Sequence, residues 1–115
     1  MRITVTSTGP VVTEALKVEV RRRVLLALSR FGQEVRDVTV RLAEPRNPLG
    51  GVDQRCRLRA VLSSGPVLRA EAVNGELETA LGRSAGRLAR LVAEELDGGD
   101  GRTPSTPGSR LGPDG

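Results

Sequence analysis

Asn74-Gly75-Glu76-Leu77-Glu78-Thr79-Ala80-Leu81 admits two readings, and they lead to different folds. Asn-Gly after an alternating run is a strong signal for a two-residue β-hairpin. Asn ahead of a helical repeat is instead an N-cap. The residues beyond decide between them. Leu77, Leu81, Ala85, Leu88 and Val92 recur every three or four positions, the spacing of one helix face. Asn74 is therefore read as the cap of a second helix that runs to about Leu96.

Working back from that helix, Leu68, Ala70 and Ala72 alternate with Arg69, Glu71 and Val73, which predicts a strand. Ser63-Ser64-Gly65-Pro66 is a tight turn. The strand before it has the clearest period: Cys56, Leu58, Ala60 and Leu62 face one way, Arg55, Arg57 and Arg59 the other. Pro45 to Gly51 is a loop by its Pro and Gly content. Val38, Val40 and Leu42 alternate with Thr39, Arg41 and Ala43. Leu16, Val20, Val24, Ala27, Leu28 and Phe31 lie at helical spacing after Thr13 as N-cap, and Gly32 stops the pattern. Ile3 and Val5 alternate with Arg2, Thr4 and Thr6 in a first strand, which Gly9-Pro10 breaks. The order is β-α-β-β-β-α. Two helices must then cover the apolar face of a four-stranded sheet, an α+β two-layer sandwich.

The chain divides unevenly. Residues 1–96 form the expected domain, with a net charge of +5 once the −1 of the remainder is removed from the total of +4. Residues 97–115 hold six Gly, three Pro and one large apolar side chain, Leu111. Such a segment cannot bury enough surface to offset its ordering entropy, so it is expected to be a disordered tail.

Composition excludes several chemistries. There is no His and one Cys, so an internal disulfide, a His-ligated metal site and a Ser-His-Asp triad are impossible. The one Phe, with no Tyr or Trp, leaves nothing for base stacking of the RNA-recognition kind. The longest apolar run, Val24 to Leu28, is too short for a membrane span, and the N-terminus lacks an apolar signal region. Cys56 is read as a buried structural thiol with no base to activate it. The expectation is a cytoplasmic, non-enzymatic, cofactor-free domain with an anionic partner.

The second helix carries the sharpest signal. Arg83, Arg87 and Arg90 stand at i, i+4 and i+7 with no acid among them. Like charges at that spacing repel, and the planar guanidinium suits phosphate, so the stripe is read as phosphate-binding. On the first helix Lys17 and Arg21 share one flank, Arg23 and Arg30 the other, and Arg22 lies on the solvent side. Arg55, Arg57 and Arg59, with Arg41 and Arg69, place base on the open sheet face. The alternatives there are a solvated face of Arg–Glu cross-strand pairs, which is favoured, and a second electrostatic footprint. Gly82 and Gly86 suggest either close approach of the first helix or no constraint at all. Leu25 and Leu26 fall outside the apolar stripe without explanation.

Several stretches resemble the ribosome hibernation-promoting factor and ribosome-associated inhibitor family. These are Met1-Arg2-Ile3-Thr4-Val5-Thr6, Val12-Thr13-Glu14-Ala15-Leu16, Ala70-Glu71-Ala72, Arg87-Leu88-Ala89-Arg90 and the loop Gly50-Gly51-Val52-Asp53-Gln54-Arg55-Cys56. The loop is similar to a Gly-Gly-Val-Asp-x-Arg-Cys signature of compact members. The resemblance implies a cytoplasmic, non-catalytic translation regulator. It would bind small-subunit rRNA through its helices and occlude the mRNA and tRNA channel, with no small-molecule substrate and no membrane. The implied rRNA contacts are Arg83, Arg87 and Arg90, then Lys17, Arg21 and Arg22. The alternative is a general RNA- or protein-binding module on the same fold. This chain departs from the family by ending its second helix Ala93-Glu94-Glu95-Leu96-Asp97, and residues 97–115 are too short for a dimerising domain.

Overall fold

The computed structural model describes residues 1–8 and 12–98. The element order is β1 (Arg2–Thr8), α1 (Glu14–Leu28), a 3₁₀ turn (Ser29–Phe31), β2 (Val35–Ala43), β3 (Gln54–Leu62), β4 (Val67–Asn74) and α2 (Leu77–Gly98). The strands form one sheet in the order β1-β2-β3-β4, with β1 parallel to β2 and the other pairs antiparallel. This is the α+β arrangement expected from the alternating and helical periods.

The inner face of the sheet is a set of apolar rows. Val5, Val40, Leu58 and Ala70 stand side by side, and so do Ser7, Leu42, Cys56 and Ala72. Against them pack Val20, Val24 and Leu28 of α1, and Leu81, Ala85, Leu88 and Val92 of α2. α1 packs on β1 and on α2; α2 lies over β4 and β3. Removing such side chains from water at ~25 cal/mol per Å² is the main force holding the two layers together.

Local chemistry accounts for most boundaries. Thr13 Oγ1 accepts from the Leu16 amide at 3.1 Å, the expected cap. Asn74 has a different role. Its Oδ1 accepts from the Glu76 amide at 3.0 Å, making a side-chain turn at the end of β4, and the helix starts one residue beyond Glu76. Gly75 is not among the glycines with positive φ, so no Asn-Gly hairpin forms. Positive φ occurs at Gly65 in the β3–β4 turn and at Gly50 and Gly51 in the β2–β3 loop, where L side chains are strained.

Three further features differ from the sequence reading, and a fourth decides between its alternatives. β1 continues to Thr8 and α2 to Gly98, so Asp97 and Gly98 belong to the helix. β2 begins at Val35, with a bulge between Val35 and Asp37. The extra residue lets both Val35 and Val38, three apart, point inward, which a period of two conceals. Ala80 and Ser84 are also fully buried on α2, and the Ser84 hydroxyl donates back to the Leu81 carbonyl at 3.1 Å. Finally, Gly82 and Gly86 are exposed, and a Cβ at either would meet nothing within 4 Å, so close helix approach is not their explanation. The tail expected over 97–115 otherwise lies outside the described residues.

Candidate nucleic-acid interface

The six candidate residues fall into two groups at opposite edges of the sheet. Arg83, Arg87 and Arg90 lie exposed on α2. Arg87 donates from Nη1 to the Glu71 carbonyl of β4, an edge strand. That bond fixes its guanidinium against β4 and leaves its other donors free. Arg87 and Arg90 then line a groove of about 260 Å³ with Arg69, Ala70, Leu91 and Glu94. Arg83 and Arg90 form no ion pair among the described residues.

On α1, Arg21 Nε donates to the Ile3 carbonyl of β1, the other edge strand, at 3.3 Å. Three inter-strand spacings separate the two edges, roughly 14 Å. Lys17 pairs with Glu14 at 3.7 Å. Arg22 is held by Glu19 through two hydrogen bonds, 2.6 and 3.2 Å. That pairing lowers the Glu19 carboxyl below its ordinary pKa and raises the Arg22 guanidinium above its own. Arg22 thus already has an anionic partner, whereas the α2 stripe has none among the described residues.

A third basic region occupies the open sheet face. The register sets Arg41 directly opposite Arg57, and Arg59 directly opposite Arg69. The opposite-charge cross-strand neighbours there are Arg57–Glu71 and, at the far end, Arg2–Asp37; Glu71 holds both Arg57, at 3.2 Å, and Arg55, at 3.3 Å. The favoured expectation of a face laced by Arg–Glu pairs therefore fails for Arg41, Arg59 and Arg69. Alternation had placed these residues on one side; it carried no information about which would stand opposite which.

The exposed guanidiniums of these surfaces can bind anions. Cys56 is fully buried, and burial pushes its thiol up to about 11, the opposite of an activated nucleophile. Among the described residues no group of three His, Cys, Asp or Glu side chains gathers to hold a metal. No helix there is long and apolar enough to cross a membrane.

Comparison with known proteins gives three findings. The domain is similar to a ribosomal subunit interface protein from Coxiella burnetii. The TM-score is 0.68 at 16% identity, over 84% of this chain and 99% of that one. It is also similar to the N-terminal domain of Thermus thermophilus Protein Y, with a TM-score of 0.65 and 25% identity over 82% of this chain and 98% of that one. A search of curated proteins finds no relative of the chain. The sequence profile described as sigma 54 modulation protein / S30EA ribosomal protein matches residues 3–97, nearly the whole described chain, and the protein belongs to that family.

Proposed function

We propose that the chain is a ribosome-associated translation regulator. It binds small-subunit rRNA through its basic helix faces and occludes the mRNA and tRNA channel without catalysing a reaction. The observation that carries this reading is the acid-free stripe of Arg83, Arg87 and Arg90, held at the edge of a domain whose family is described as ribosomal. Arginine supports it further, because a fixed planar fork donates two parallel hydrogen bonds to one phosphate. Lys17 and Arg21, on the far edge, would meet a second segment of the same rRNA; Arg22, already paired, contributes least. A ribosome-associated family implies the cytoplasm as its place of action.

A second reading, an RNA- or protein-binding module without hibernation activity, is favoured by one observation. Glu94 enters the groove beside Arg90, and Glu95 follows it, so acid closes the stripe after two turns.

Binding to purified small subunits, measured against salt, tests the proposal. Each phosphate contact contributes roughly 0.7–0.9 to the slope of log K against log[salt]. The triple variant Arg83→Gln, Arg87→Gln, Arg90→Gln should lower that slope by about 2–3 and weaken inhibition of translation in vitro. An unchanged slope, or no co-sedimentation of the native protein, rejects it.

A further inference from the structure

We propose that the open face of the sheet is a second phosphate-binding surface, onto which an RNA strand gripped by α2 passes over the β4 edge. The inference rests on the RNA-binding reading above and extends it to a different face of the molecule.

The first argument is the register. Like charges directly opposite in a sheet are destabilising, and this face has two such pairs, Arg41 with Arg57 and Arg59 with Arg69. A face shaped only by solvation would not gain from that arrangement. An anion lying across it removes the repulsion.

The second argument is which arginines are free. Glu71 neutralises part of the charge of Arg55 and Arg57. Asp37, at the far end of the face, is taken by Arg2 at 3.9 Å and Arg36 at 3.2 Å. Arg41, Arg59 and Arg69 form no ion pair among the described residues. They stand on three successive strands, Arg59 directly opposite Arg69 and Arg41 diagonal to Arg59. The groove over them has a volume of about 720 Å³ and is lined by all three, with Thr39, Arg57 and Glu71.

The third argument is continuity. Arg69 lines both this groove and the smaller one that holds Arg87 and Arg90. The two basic surfaces therefore meet on the edge strand, at Arg69 and its neighbour Ala70. Directly opposed residues such as Arg59 and Arg69 stand ~5 Å apart, and diagonal neighbours such as Arg41 and Arg59 ~7–8 Å. Forks spread over three strands suit the successive phosphates of a nucleic-acid strand better than a single compact anion. The one aromatic residue of the chain, Phe31, is buried in the core. The surface has no aromatic ring on which bases could stack, so contacts to the backbone dominate and sequence preference should be small.

The experiment uses the full chain and two probes: purified small subunits and a 20-nucleotide single-stranded RNA. Three triple variants are titrated against potassium chloride. They are a sheet variant (Arg41→Gln, Arg59→Gln, Arg69→Gln), the α2 variant described above and a remote control (Arg23→Gln, Arg30→Gln, Arg46→Gln) that removes the same charge elsewhere. On subunits, the sheet variant should lower the salt slope by about 2–3, as the α2 variant does, while the control changes it by less than about 1. Thermal melts of the sheet variant should be no lower than native, because repulsion has been relieved. If native protein binds and the sheet variant keeps the native slope while the α2 variant loses its share, this inference is overturned and the α2 reading stands. Equal losses in sheet variant and control also overturn it, as diffuse attraction. If native protein binds the oligonucleotide but not the subunit, the ribosomal reading fails, and the sheet variant's slope on the oligonucleotide alone decides the inference. Failure of native protein to bind either probe overturns both.

Discussion

Arg87 on α2 donates a hydrogen bond to the backbone carbonyl of Glu71, whose side chain, on the other face of the sheet, holds Arg55 and Arg57. One residue of β4 thus fixes basic groups on two surfaces. Arg87 is consequently a packing residue as well as a candidate phosphate ligand, and this separates it from Arg83.

Arg87→Gln should lower stability by about 1 kcal/mol, the scale of one exposed charge-assisted hydrogen bond, in addition to weakening RNA binding. Arg83→Gln should stay within about 0.5 kcal/mol of native while weakening binding comparably. Urea unfolding of the two variants checks this; equal stability would mean that the Glu71 bond contributes nothing.

The opposition of Arg59 and Arg69 makes a charge reversal favourable. Arg69→Glu should stabilise the fold by roughly 0.2–1 kcal/mol by turning a like pair into an opposite one. The gain should shrink in high salt. A destabilised variant in low salt would contradict the observed register.

Gly82 and Gly86 sit inside α2 with open space where a Cβ would stand. Gly82→Ala and Gly86→Ala should each raise stability by about 0.5–1 kcal/mol, since alanine loses less backbone freedom in a helix. Melting temperatures of the single and double variants, which should be additive, provide the measurement.

Cys56 gives a pH dependence of known sign. Its thiol is raised to about 11 in the folded state from an ordinary 9.0, so between those values the native state binds more protons than the unfolded one. Stability should therefore be intact below pH 9 and decline above it, by at most about 1.4 kcal/mol per pH unit. Cys56→Ala should lose a little stability at pH 7 but lack this share of the alkaline decline. Cys56→Asp should be several-fold worse than Cys56→Ala at pH 7, because it buries a charge. Iodoacetamide should leave native Cys56 unlabelled.

How far the sequence could be read depended on what each element hides. β3 was legible because its inward residues are all apolar and its outward ones nearly all Arg. β2 was legible only from Val38 onward, since the bulge after Val35 breaks the period. On α2, Ala80 and Ser84 went unseen because a small residue and a hydroxyl give no apolar signal, although they lie four apart. Leu25 and Leu26 had no place in the α1 stripe, and they are in fact exposed. For the site, the α2 stripe could be found by counting residues along one helix. The Arg41–Arg57 and Arg59–Arg69 oppositions depend on register between strands, which turn geometry and a bulge set and no local pattern states.

The two arginine bonds to edge carbonyls have a consequence for the molecule's behaviour at high concentration. An uncapped sheet edge presents free backbone groups that another chain's strand can extend. Here Arg21 occupies the Ile3 carbonyl on β1, and Arg87 occupies the Glu71 carbonyl on β4. Each outer strand thus carries a cation where an incoming strand would have to dock, and two copies meeting edge to edge bring like charges together. Two of the residues proposed to hold phosphate would thus also oppose polymerisation through the sheet edges. Loss of both guanidiniums should show as salt-promoted self-association in light scattering while the monomer remains folded.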